Sequence, residues 1–439
     1  MERSDAILQR LLGLHPREID LSLARIEELM NDLGNPERRL PPVIHIGGTN
    51  GKGSTTAFMR SMLEAAGKRV QAYTSPHLVR FHERIRLATP EGGRFVDEEE
   101  LADALIHVEK VNDGRPITQF EITTAAAFEI FARNPADVLL LEVGLGGRLD
   151  ATNLVPSPLA AVITSVSMDH EKFLGDTIEA IATEKAGILK RGRPAIIAPQ
   201  SDAALTIIEA EAEIAGADLF IANQDWAAYR EHGRLVYQDG DGLLDLQSPR
   251  LVGRHQYTNA GTAIATLRKA GLNVPAVAIE EGLATVDWPA RLQRLTQGAL
   301  VERAGPDAEL WLDGGHNPGA GIVIAEAMAD LQERVERPLF LISGMLTTKD
   351  TVGFFRPFAG LVRRVFTVPV PGSNAGRDPA ELTALAKEAG LAAEPVESVE
   401  AAIDRIRAEI NAFGPPRILI CGSLYLAGAV LDANGTPPQ

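Results

Sequence analysis

The chain has 439 residues, of which 45% are hydrophobic and 23% charged, so it has enough apolar material for a large core, and its length favours two domains. Its formal net charge of −16 argues against non-specific binding to nucleic acid, because an acidic surface is repelled by a phosphate backbone. The single cysteine, Cys421, excludes an internal disulfide and a multi-cysteine metal site, and we expect it to be a core residue near a strand end.

The amino-terminal segment and the longest apolar runs indicate the cellular compartment in which the protein is expected. Residues 1–16 mix acidic and basic side chains and lack a long apolar core, so they do not resemble a signal peptide. No uninterrupted apolar run in the sequence approaches the roughly 18–20 residues of a membrane span. We therefore expect a cytoplasmic protein that has no membrane partner.

The chain opens with two predicted helices, at 4–15 and 22–33. Asp20 or Ser22 is a candidate cap for the second helix, because short polar side chains accept hydrogen bonds from the first free N–H groups. Pro41 and Pro42 then end any helix before the first predicted strand.

A glycine-rich loop is the first segment that predicts chemistry. An apolar run over Val43–Ile46 leads into glycines at 47, 48, 51 and 53, and a helical pattern covers Thr55–Ala66. A strand, a glycine loop and a helix N-terminus together surround phosphate groups with N–H donors. Lys52 adds a full charge, and Ser54 or Thr55 adds a hydroxyl for Mg²⁺. Gly53 interrupts the strict G-x-x-x-x-G-K-[ST] pattern, so an ordinary glycine-rich turn is the alternative.

Three further apolar strands each end in a polar side chain. Arg69–Tyr73 is followed by Ser75, the run from Val138 by Glu142, and the strand 159–165 by His170. Because the carboxyl ends of parallel strands meet at one edge of a sheet, we expect these side chains to lie beside the glycine loop. The alternatives are a simple turn at Ser75 and a backbone cap at Glu142. A buried Glu142 would need a cation or hydrogen-bond partner.

Strands alternate with helices along most of the chain, which predicts a mostly parallel sheet with right-handed crossovers. In the first part of the chain helices are expected near 98–112, with the acidic run 97–100 as its cap, and near 122–133, 177–189, 202–215, 254–270 and 275–284. The stretch from 216 to 251 is more irregular and partly β in character.

The alternation of predicted strands and helices is interrupted at Trp288-Pro289, and we predict a linker over residues 288–298. The preceding residues 1–287 would form the larger domain, and residues 299–439 a smaller α/β domain. The smaller domain has expected strands at 309–313, 338–342, 364–368 and 417–421 and helices near 320–332, 380–389, 399–411 and 424–431. Polar loops follow its first two strands, so we expect a site in the cleft between the two domains.

Eight motifs occur in one order along residues 5–430. They read IGGTNGKGS, TSPHLVRFHERIR, LLLEVGLGGRLDATN, the DH…LG…IA.EKAGILK stretch at 169–190, GRHQYTNA, WPARL, LDGGHNPGA and GMLTTKD. In these motifs the chain resembles the dihydrofolate synthase / folylpolyglutamate synthase family, within the ATP-dependent Mur-type amide ligases. The resemblance implies a P-loop-type, mostly parallel sheet domain followed by a smaller Rossmann-like α/β domain, with the active site in the interdomain cleft.

The resemblance also implies a reaction. ATP converts a carboxylate into an acyl phosphate, the amine of L-glutamate attacks it, and an amide, ADP and phosphate result. The acceptor would be dihydropteroate, the γ-carboxylate of a reduced folate, or both. We expect a bifunctional enzyme, although the motifs do not fix whether it performs the first glutamylation, the later ones or both. A Mur-type ligase acting on a cell-wall nucleotide precursor and a non-catalytic ATP-binding switch are the alternatives. We expect a monomer with small-molecule substrates and two Mg²⁺ sites, and the need for a monovalent cation stays open.

The resemblance assigns roles to individual residues. The ATP-binding set is Asn50, Gly51, Lys52, Gly53, Ser54, Asn259, Arg291 and Asp313. The metal-binding set is Ser54, Ser75, Glu142 and His170. The folate or pteroate set is Asp20, Leu21, Ser22, Thr118, Gln119, Phe120, Glu121, Leu149, Asp150 and Ala151. From the residues alone, Asn259 reads as a helix-cap or surface polar group and Phe120 equally well as a core residue.

The catalytic residues implied in the same way are Lys52, Lys185, His170 and His316. The lysine that matches Lys185 is carbamylated in this ligase family, and a depressed pKa would help, because only a neutral amine reacts with CO₂. Without the resemblance, Lys185 is a solvated helix lysine beside Glu184. The chain departs from the family's pattern at Gly315, where an alanine or another small residue is common, and at Thr347-Thr348.

Overall fold

The computed structural model describes residues 3–15, 19–89, 92–373 and 375–438, with the backbone alone at 410 and 411. The outermost positions of the two predicted domains, 1, 2 and 439, therefore lie outside the described residues. The described chain contains two mixed α/β units, each built on its own sheet, and a three-stranded antiparallel sheet packed on the first. The predicted fold class is confirmed.

An eight-stranded sheet organises the first unit, in the order β4-β3-β2-β5-β1-β6-β7-β8. Its strands are β1 (Val43–Gly47), β2 (Val70–Tyr73), β3 (Ile85–Thr89), β4 (Gly92–Phe95), β5 (Val138–Glu142), β6 (Ala160–Ile163), β7 (Pro194–Ile197) and β8 (Asp218–Ile221). The strands from β2 to β8 in this order are parallel, and β3 and β4 add an antiparallel edge. Helices cover both faces, so the central strands are buried on both sides and read as continuous apolar runs.

The helices of this unit are α1 (Arg3–Leu11), α2 (Ala24–Asp32), α3 (Lys52–Ala65), α4 (Glu98–Asn112), α5 (Gln119–Arg133), α6 (Glu171–Leu174), α7 (Ile178–Ala186), α8 (Asp202–Ala215), α9 (Arg254–Lys269) and α10 (Ala276–Thr285). Short 3₁₀ helices occupy Leu12–Leu14, Pro36–Arg39 and Phe81–Arg84. Alternation along β5 separates the two faces. Leu139 and Leu141 pack with α1, α2, α4 and α5, whereas Val138 and Leu140 pack with α3, α9 and α10.

The irregular stretch before α9 forms a small antiparallel sheet of β9 (Trp226–Glu231), β10 (Arg234–Asp239) and β11 (Gly242–Leu246). It packs on α9, where Gly261 leaves room for Ala228. This sheet therefore supports the helix whose N-terminal end carries Asn259.

A six-stranded sheet organises the second unit, in the order β12-β13-β17-β14-β15-β16. Its strands are β12 (Gln293–Leu295), β13 (Glu309–Leu312), β14 (Leu339–Ser343), β15 (Arg364–Thr367), β16 (Ala393–Pro395) and β17 (Arg417–Cys421). Its helices are α11 (Ala299–Ala304), α12 (Pro318–Arg334), α13 (Thr351–Phe355), a 3₁₀ turn at Arg356–Phe358, α14 (Pro379–Glu388), α15 (Val399–Ala408), α16 (Ile410–Phe413) and α17 (Leu424–Ala433). Cys421 is buried at the end of β17, as predicted.

Three local predictions need correction. Neither Asp20 nor Ser22 caps α2, because Leu23 occupies the N-cap position and the Asp20 carboxylate accepts from Arg25 Nη1 at 3.0 Å instead. The helix after the glycine loop begins three residues earlier than predicted, at Lys52, because Gly51 ends the loop with a φ of +91°. Part of the predicted linker is β12, which pairs antiparallel with β13.

A buried ion pair joins Arg417, the first residue of β17, to Glu309, the first residue of β13, and Arg417 also contacts α12. The Arg417 side chain is 2% exposed, and its Nε donates to Glu309 Oε2 at 2.8 Å while Nη1 donates to Gln332 Oε1 at 3.2 Å. Burial opposes ionisation of Glu309, but the bonds from Arg417 and Trp311 hold its pKa below the usual value.

Glu309→Gln should lower the melting temperature by about 5 °C or more, because it leaves the Arg417 charge buried without a counter-charge, at a cost of about 3 kcal/mol. The matched control is Asp404→Asn, which breaks the Arg303–Asp404 pair, whose side chains are 43% and 52% exposed. The control should shift the melting temperature by under about 2 °C. Equal shifts in scanning calorimetry would contradict this account of the pair.

Candidate active site

The glycine turn after β1 is shaped so that neighbouring side chains can approach its backbone. Gly48 has a φ of +135°, and a Cβ there would collide with Thr164. A Cβ at Gly51 would lie 2.6 Å from Asn259 Oδ1, and one at Gly53 would lie 2.7 Å from Trp288 Nε1. The turn therefore has Asn259 beside its last residue and the Trp288 indole against the first turn of α3.

Two lysines converge beneath this turn. Lys52 Nζ donates to Gly48 O at 3.1 Å and to Thr49 O at 3.2 Å, and Lys185 Nζ donates to the same Gly48 O at 3.0 Å. Burial, together with the charge of Lys52, lowers the pKa of the Lys185 ammonium to about 7. Lys185 is thus a buried amine that is partly neutral at physiological pH, and the alternative of a solvated helix lysine is wrong.

Glu142 is a buried carboxylate without a close counter-charge. Its Oε1 lies 4.0 Å from Lys52 Nζ, and a backbone hydrogen bond from Ser75 is the nearest polar support. Burial raises the pKa of its carboxyl to about 7, against the opposing effect of Lys52 and Arg291. A carboxylate that is poorly neutralised by protein groups fits a hard divalent cation whose other ligands are phosphate oxygens and water. The assignment of the Ser54 and Ser75 hydroxyls as further ligands stays a prediction.

Within the described ranges, no three His, Cys, Asp or Glu side chains are grouped as an all-protein metal site would require. His170 adopts a φ of +54°, and its Nε2 lies 4.0 Å from Asp169 Oδ1. Its assignment as a metal ligand stays a prediction.

The second sheet supplies the opposite wall. Asp313 follows β13 and is buried, with Oδ2 accepting from Leu292 N at 2.8 Å and Oδ1 from Gly315 N at 2.6 Å. Burial raises the pKa of Asp313, while Arg291 opposes the rise. A Cβ at Gly314 would lie 2.9 Å from Arg291 Nη1. Gly315 thus serves Asp313 through its N–H, and a Cβ at this position would lie 2.5 Å from Ile324 Cδ1 and 2.9 Å from Asp313 Oδ1.

Asp169 joins the two units. It accepts from Lys349 Nζ at 2.6 Å and from Asn317 Nδ2 at 3.1 Å, and His316 Nε2 lies 3.7 Å away. Burial opposes its ionisation, but His316 and Lys349 hold its pKa far below the usual range. The side-chain amides of Asn317 and Asn50 also pair reciprocally, each donating to the other at 3.1 Å. The glycine turn is therefore bonded directly to the start of α12.

The predicted acceptor residues cluster around the loop that follows β5. Phe120 lies against Gly144, where a Cβ would collide with its ring, and Asp150 Oδ2 accepts from Leu145 N at 2.8 Å. Leu21 packs against the same core as Leu145, and Ala151 is buried nearby. Leu149 is partly exposed. The Gln119 side chain is instead bonded to α1, since its Nε2 donates to Leu8 O at 3.1 Å.

Thr118 and Glu121 form a capping box at the start of α5, with Thr118 N donating to Glu121 Oε2 at 2.8 Å. Arg25 then joins Glu121 to Asp20, with Arg25 Nη2 lying 3.0 Å from Glu121 Oε1. These polar residues therefore organise the acceptor region among themselves, and Ser22 is half-buried beside them. Their contact with a ligand stays a prediction.

Sequence reasoning missed one buried chain of hydrogen bonds. His45 Nε2 lies 2.9 Å from Thr152 Oγ1, which donates to Asp150 Oδ1 at 2.5 Å. Because the hydroxyl proton is used on Asp150, His45 must donate from Nε2. Burial lowers the pKa of His45 to about 3. The only sequence signal was a histidine inside an apolar strand; nothing local paired it with Thr152. The role of Asp169 was missed in the same way.

Comparisons with known proteins agree with this arrangement. Residues 46–267 match the family model of the Mur ligase middle domain. Folylpolyglutamate synthase of Lacticaseibacillus casei is 34% identical over 421 residues, which is 92% of each chain. Dihydrofolate synthase/folylpolyglutamate synthase of Escherichia coli K12 is 32% identical over 97% of this chain and 94% of its own.

Solved structures superpose over nearly the whole chain. The structure of E. coli FolC in complex with DHPP and ADP has a TM-score of 0.87 at 32% identity and covers 98% of this chain and 97% of its own. The chain belongs to the folylpolyglutamate synthase / dihydrofolate synthase family. A bifunctional folylpolyglutamate synthase/dihydrofolate synthase, solved with Mn, AMPPNP and L-glutamate bound, has a TM-score of 0.83 at 31% identity. The match covers 98% of this chain and 97% of that one.

In the part of the chain that the structure describes, none of the helices is both long and apolar enough to cross a membrane.

Asp169→Ala should loosen the contact between the two units. Lys349 would be left as an unpaired cation whose side chain is 9% exposed, at a cost of about 3–5 kcal/mol in the closed arrangement. We expect a larger radius of gyration in small-angle X-ray scattering and faster proteolysis between residues 286 and 298.

The matched control breaks a second pair between the units. Asp330→Ala removes the partner of Arg254, which donates to Asp330 at 2.8 and 2.6 Å but is 64% exposed. Its scattering curve should match that of the unsubstituted protein, because water can solvate the freed Arg254. Identical curves for both variants would show that Asp169 does not hold the units together.

Proposed function

We propose that this protein joins L-glutamate to dihydropteroate and to the γ-carboxylate of reduced folates, using ATP and an acyl-phosphate intermediate. The observation that carries the proposal is the meeting of two half-sites across one cleft. The glycine turn, Lys52 and Glu142 come from the first sheet, and Arg291 and Asp313 come from the second. We also propose that the protein acts in the cytoplasm, as expected from the sequence, and that the chain divides into 1–287, 288–298 and 299–439.

The nucleotide end of the reaction depends on positioning and charge. Lys52 and the N–H groups of Asn50, Gly51, Gly53 and Ser54 would hold the β- and γ-phosphates at the N-terminus of α3. Transfer of a phosphoryl group needs its oxygens neutralised and aligned with the attacking carboxylate more than it needs covalent help. Asn259, Arg291 and Asp313 would bind the rest of ATP, the last two from the edge of the second sheet.

Ser54, Ser75 and Glu142 would hold Mg²⁺, with His170 near a second ion. When bound, the metal neutralises the phosphate oxygens during transfer. The chain's own contribution is to keep Glu142 buried and without a close counter-charge. A cation would therefore be more stable beside this carboxylate than in bulk water.

The acceptor end would lie along Phe120, Asp150 and the neighbouring residues of α5 and the loop after β5. Its carboxylate attacks the γ-phosphorus, ADP leaves, and an acyl phosphate forms. The amine of L-glutamate then attacks the acyl carbon and loses a proton, and phosphate leaves as the amide forms. Contact between the units through Asp169, Asn317 and Lys349 would keep water from hydrolysing the acyl phosphate.

Acceptor-dependent ADP release tests the proposal. With ATP, Mg²⁺ and L-glutamate present, we expect dihydropteroate and a reduced folate monoglutamate each to raise ADP release well above the rate without acceptor. Turnover with one acceptor alone would restrict the function to that step. If neither acceptor raises ADP release, the proposed function is wrong, and a cell-wall precursor becomes the next acceptor to examine.

Carbamylation of Lys185 would correct a charge imbalance at the turn. Lys52 and Lys185 share one carbonyl, and their mutual repulsion adds to burial in lowering the pKa of Lys185 to about 7. The neutral amine that predominates above that pH can attack CO₂, form a carbamate and release a proton. The product is an anion beside Lys52, so the two groups would attract each other.

Lys185→Ala should reduce the rate of ADP release about 100-fold or more, because it removes a charged group beside the transferred phosphoryl. Short carboxylates such as acetate or propionate should restore part of the rate by occupying the vacated space. Lys172→Ala, which removes an exposed lysine of the preceding helix, is the control and should keep the full rate. Full activity in Lys185→Ala would rule out a functional carbamate.

A further inference from the structure

Gly53 interrupts the strict phosphate-loop pattern, and its backbone does not explain why it is glycine. Gly48 and Gly51 have φ values of +135° and +91°, which favour glycine. Gly53 is instead the second residue of α3 and has a helical backbone, which any residue can adopt. A Cβ at position 53 would lie 2.7 Å from Trp288 Nε1 and 2.8 Å from its Cε2 and Cζ2 atoms. The close approach of Trp288 therefore accounts for this glycine.

The chain that leads to Trp288 is bonded along α3. Arg60 Nη2 donates to Asp287 O at 3.2 Å, and Ser61 Oγ lies 3.0 Å from Thr285 Oγ1. The half-buried Trp288 ring packs against the core that α3 shares with α9 and α10. The first unit therefore holds the start of the linker against one helix, the helix whose N-terminus follows the glycine turn.

Two residues after Trp288 the chain enters the core of the second unit. Ala290 is buried there and its carbonyl accepts from Gly314 N at 2.9 Å, while Leu292 is also buried and its N–H donates to Asp313 Oδ2 at 2.8 Å. Ala290 and Leu292 have φ values of +56° and +42°, a region that is unfavourable for residues with a side chain. Such backbone persists where contacts on both sides determine it.

Arg291 lies between these two strained residues. Its Nη1 donates to Ala290 O at 2.9 Å, so its side chain folds back along the linker. Its charge opposes the rise in the pKa of Glu142 in the first unit and of Asp313 in the second. The guanidinium therefore lies near carboxylates of both units, and its direction depends on how the linker is held at Trp288.

We propose that Trp288 is a positioning residue for nucleotide binding, which packs against Gly53 and thereby fixes the linker so that Arg291 faces the glycine turn. This inference rests on the proposed function, in which Arg291 contacts ATP. The first turn of α3 would then hold the phosphates through its N–H groups and the linker through Gly53. Displacement of Trp288 should weaken nucleotide binding through Arg291, without a contact between Trp288 and the nucleotide.

Isothermal titration calorimetry with ADP and Mg²⁺ tests the link to Arg291. Trp288→Ala and Arg291→Ala should each weaken ADP binding about tenfold, because a charge-assisted contact is misaligned in one and lost in the other. The double variant should bind ADP within about twofold of Arg291→Ala alone, since Trp288 then has nothing left to position. Asp287→Ala, which removes an exposed side chain next to Trp288, is the control and should bind ADP as the unsubstituted protein does.

Gly53→Ala tests the contact itself. Its methyl group should displace Trp288 and weaken ADP binding about tenfold, yet it should add no further loss to Trp288→Ala. If Trp288→Ala does not fold, Trp288→Phe should give the same pattern with smaller losses.

Three results would overturn the inference while the function stands. They are unchanged ADP binding in the Trp288 variant, a Trp288 effect that persists without Arg291, and losses from Gly53→Ala and the Trp288 variant that multiply. An unsubstituted protein that does not bind ADP would instead contradict the proposed function.

Discussion

Two lysines, Lys52 and Lys185, donate to one backbone carbonyl, that of Gly48, and the rest of the site depends on this arrangement. The turn holds both amines close together, and Glu142 Oε1 lies 4.0 Å from Lys52 Nζ. Neither Lys185 nor Glu142 is well compensated by the folded chain, as their pKa values of about 7 show. A phosphate chain and a divalent cation would supply the missing charges. The fold therefore holds these groups in place until substrate arrives.

The parallel sheet makes this possible. Register pairs Ile46 with Glu142 and Gly47 with Ile163, so the glycine turn, Glu142 and the loop that leads to Asp169 all begin at one sheet edge. The second sheet also places a polar residue at the carboxyl end of a parallel strand, because Asp313 directly follows β13. Asp169 and Asn317 then bond the two edges together. Each polar group is positioned by a strand that is buried on both faces, which is a rigid support for a site that must align a carboxylate with a phosphate.

The sequence predicted those features that depend on local pattern. The apolar run of β5 followed by Glu142, and the glycine turn before α3, are visible in consecutive residues, and the capping of α4 by Asp97 follows from side-chain chemistry. Features that depend on distant partners were not visible. The pairing of β12 with β13 occurs inside a predicted linker, and Asp169 meets Lys349 across 180 positions. From the sequence, Phe120 could be either a core residue or a ligand-binding residue. In the structure it lies half-buried against Gly144.

The central claim is that the acceptor carboxylate is activated as an acyl phosphate in the cleft between the two sheets. Dihydropteroate labelled with ¹⁸O in its carboxylate tests this most directly, through mass spectrometry of the inorganic phosphate released during glutamate ligation. The account predicts one ¹⁸O atom in each phosphate, because the oxygen that attacks the γ-phosphorus leaves with it. Amide product formed with unlabelled phosphate would contradict the acyl-phosphate route.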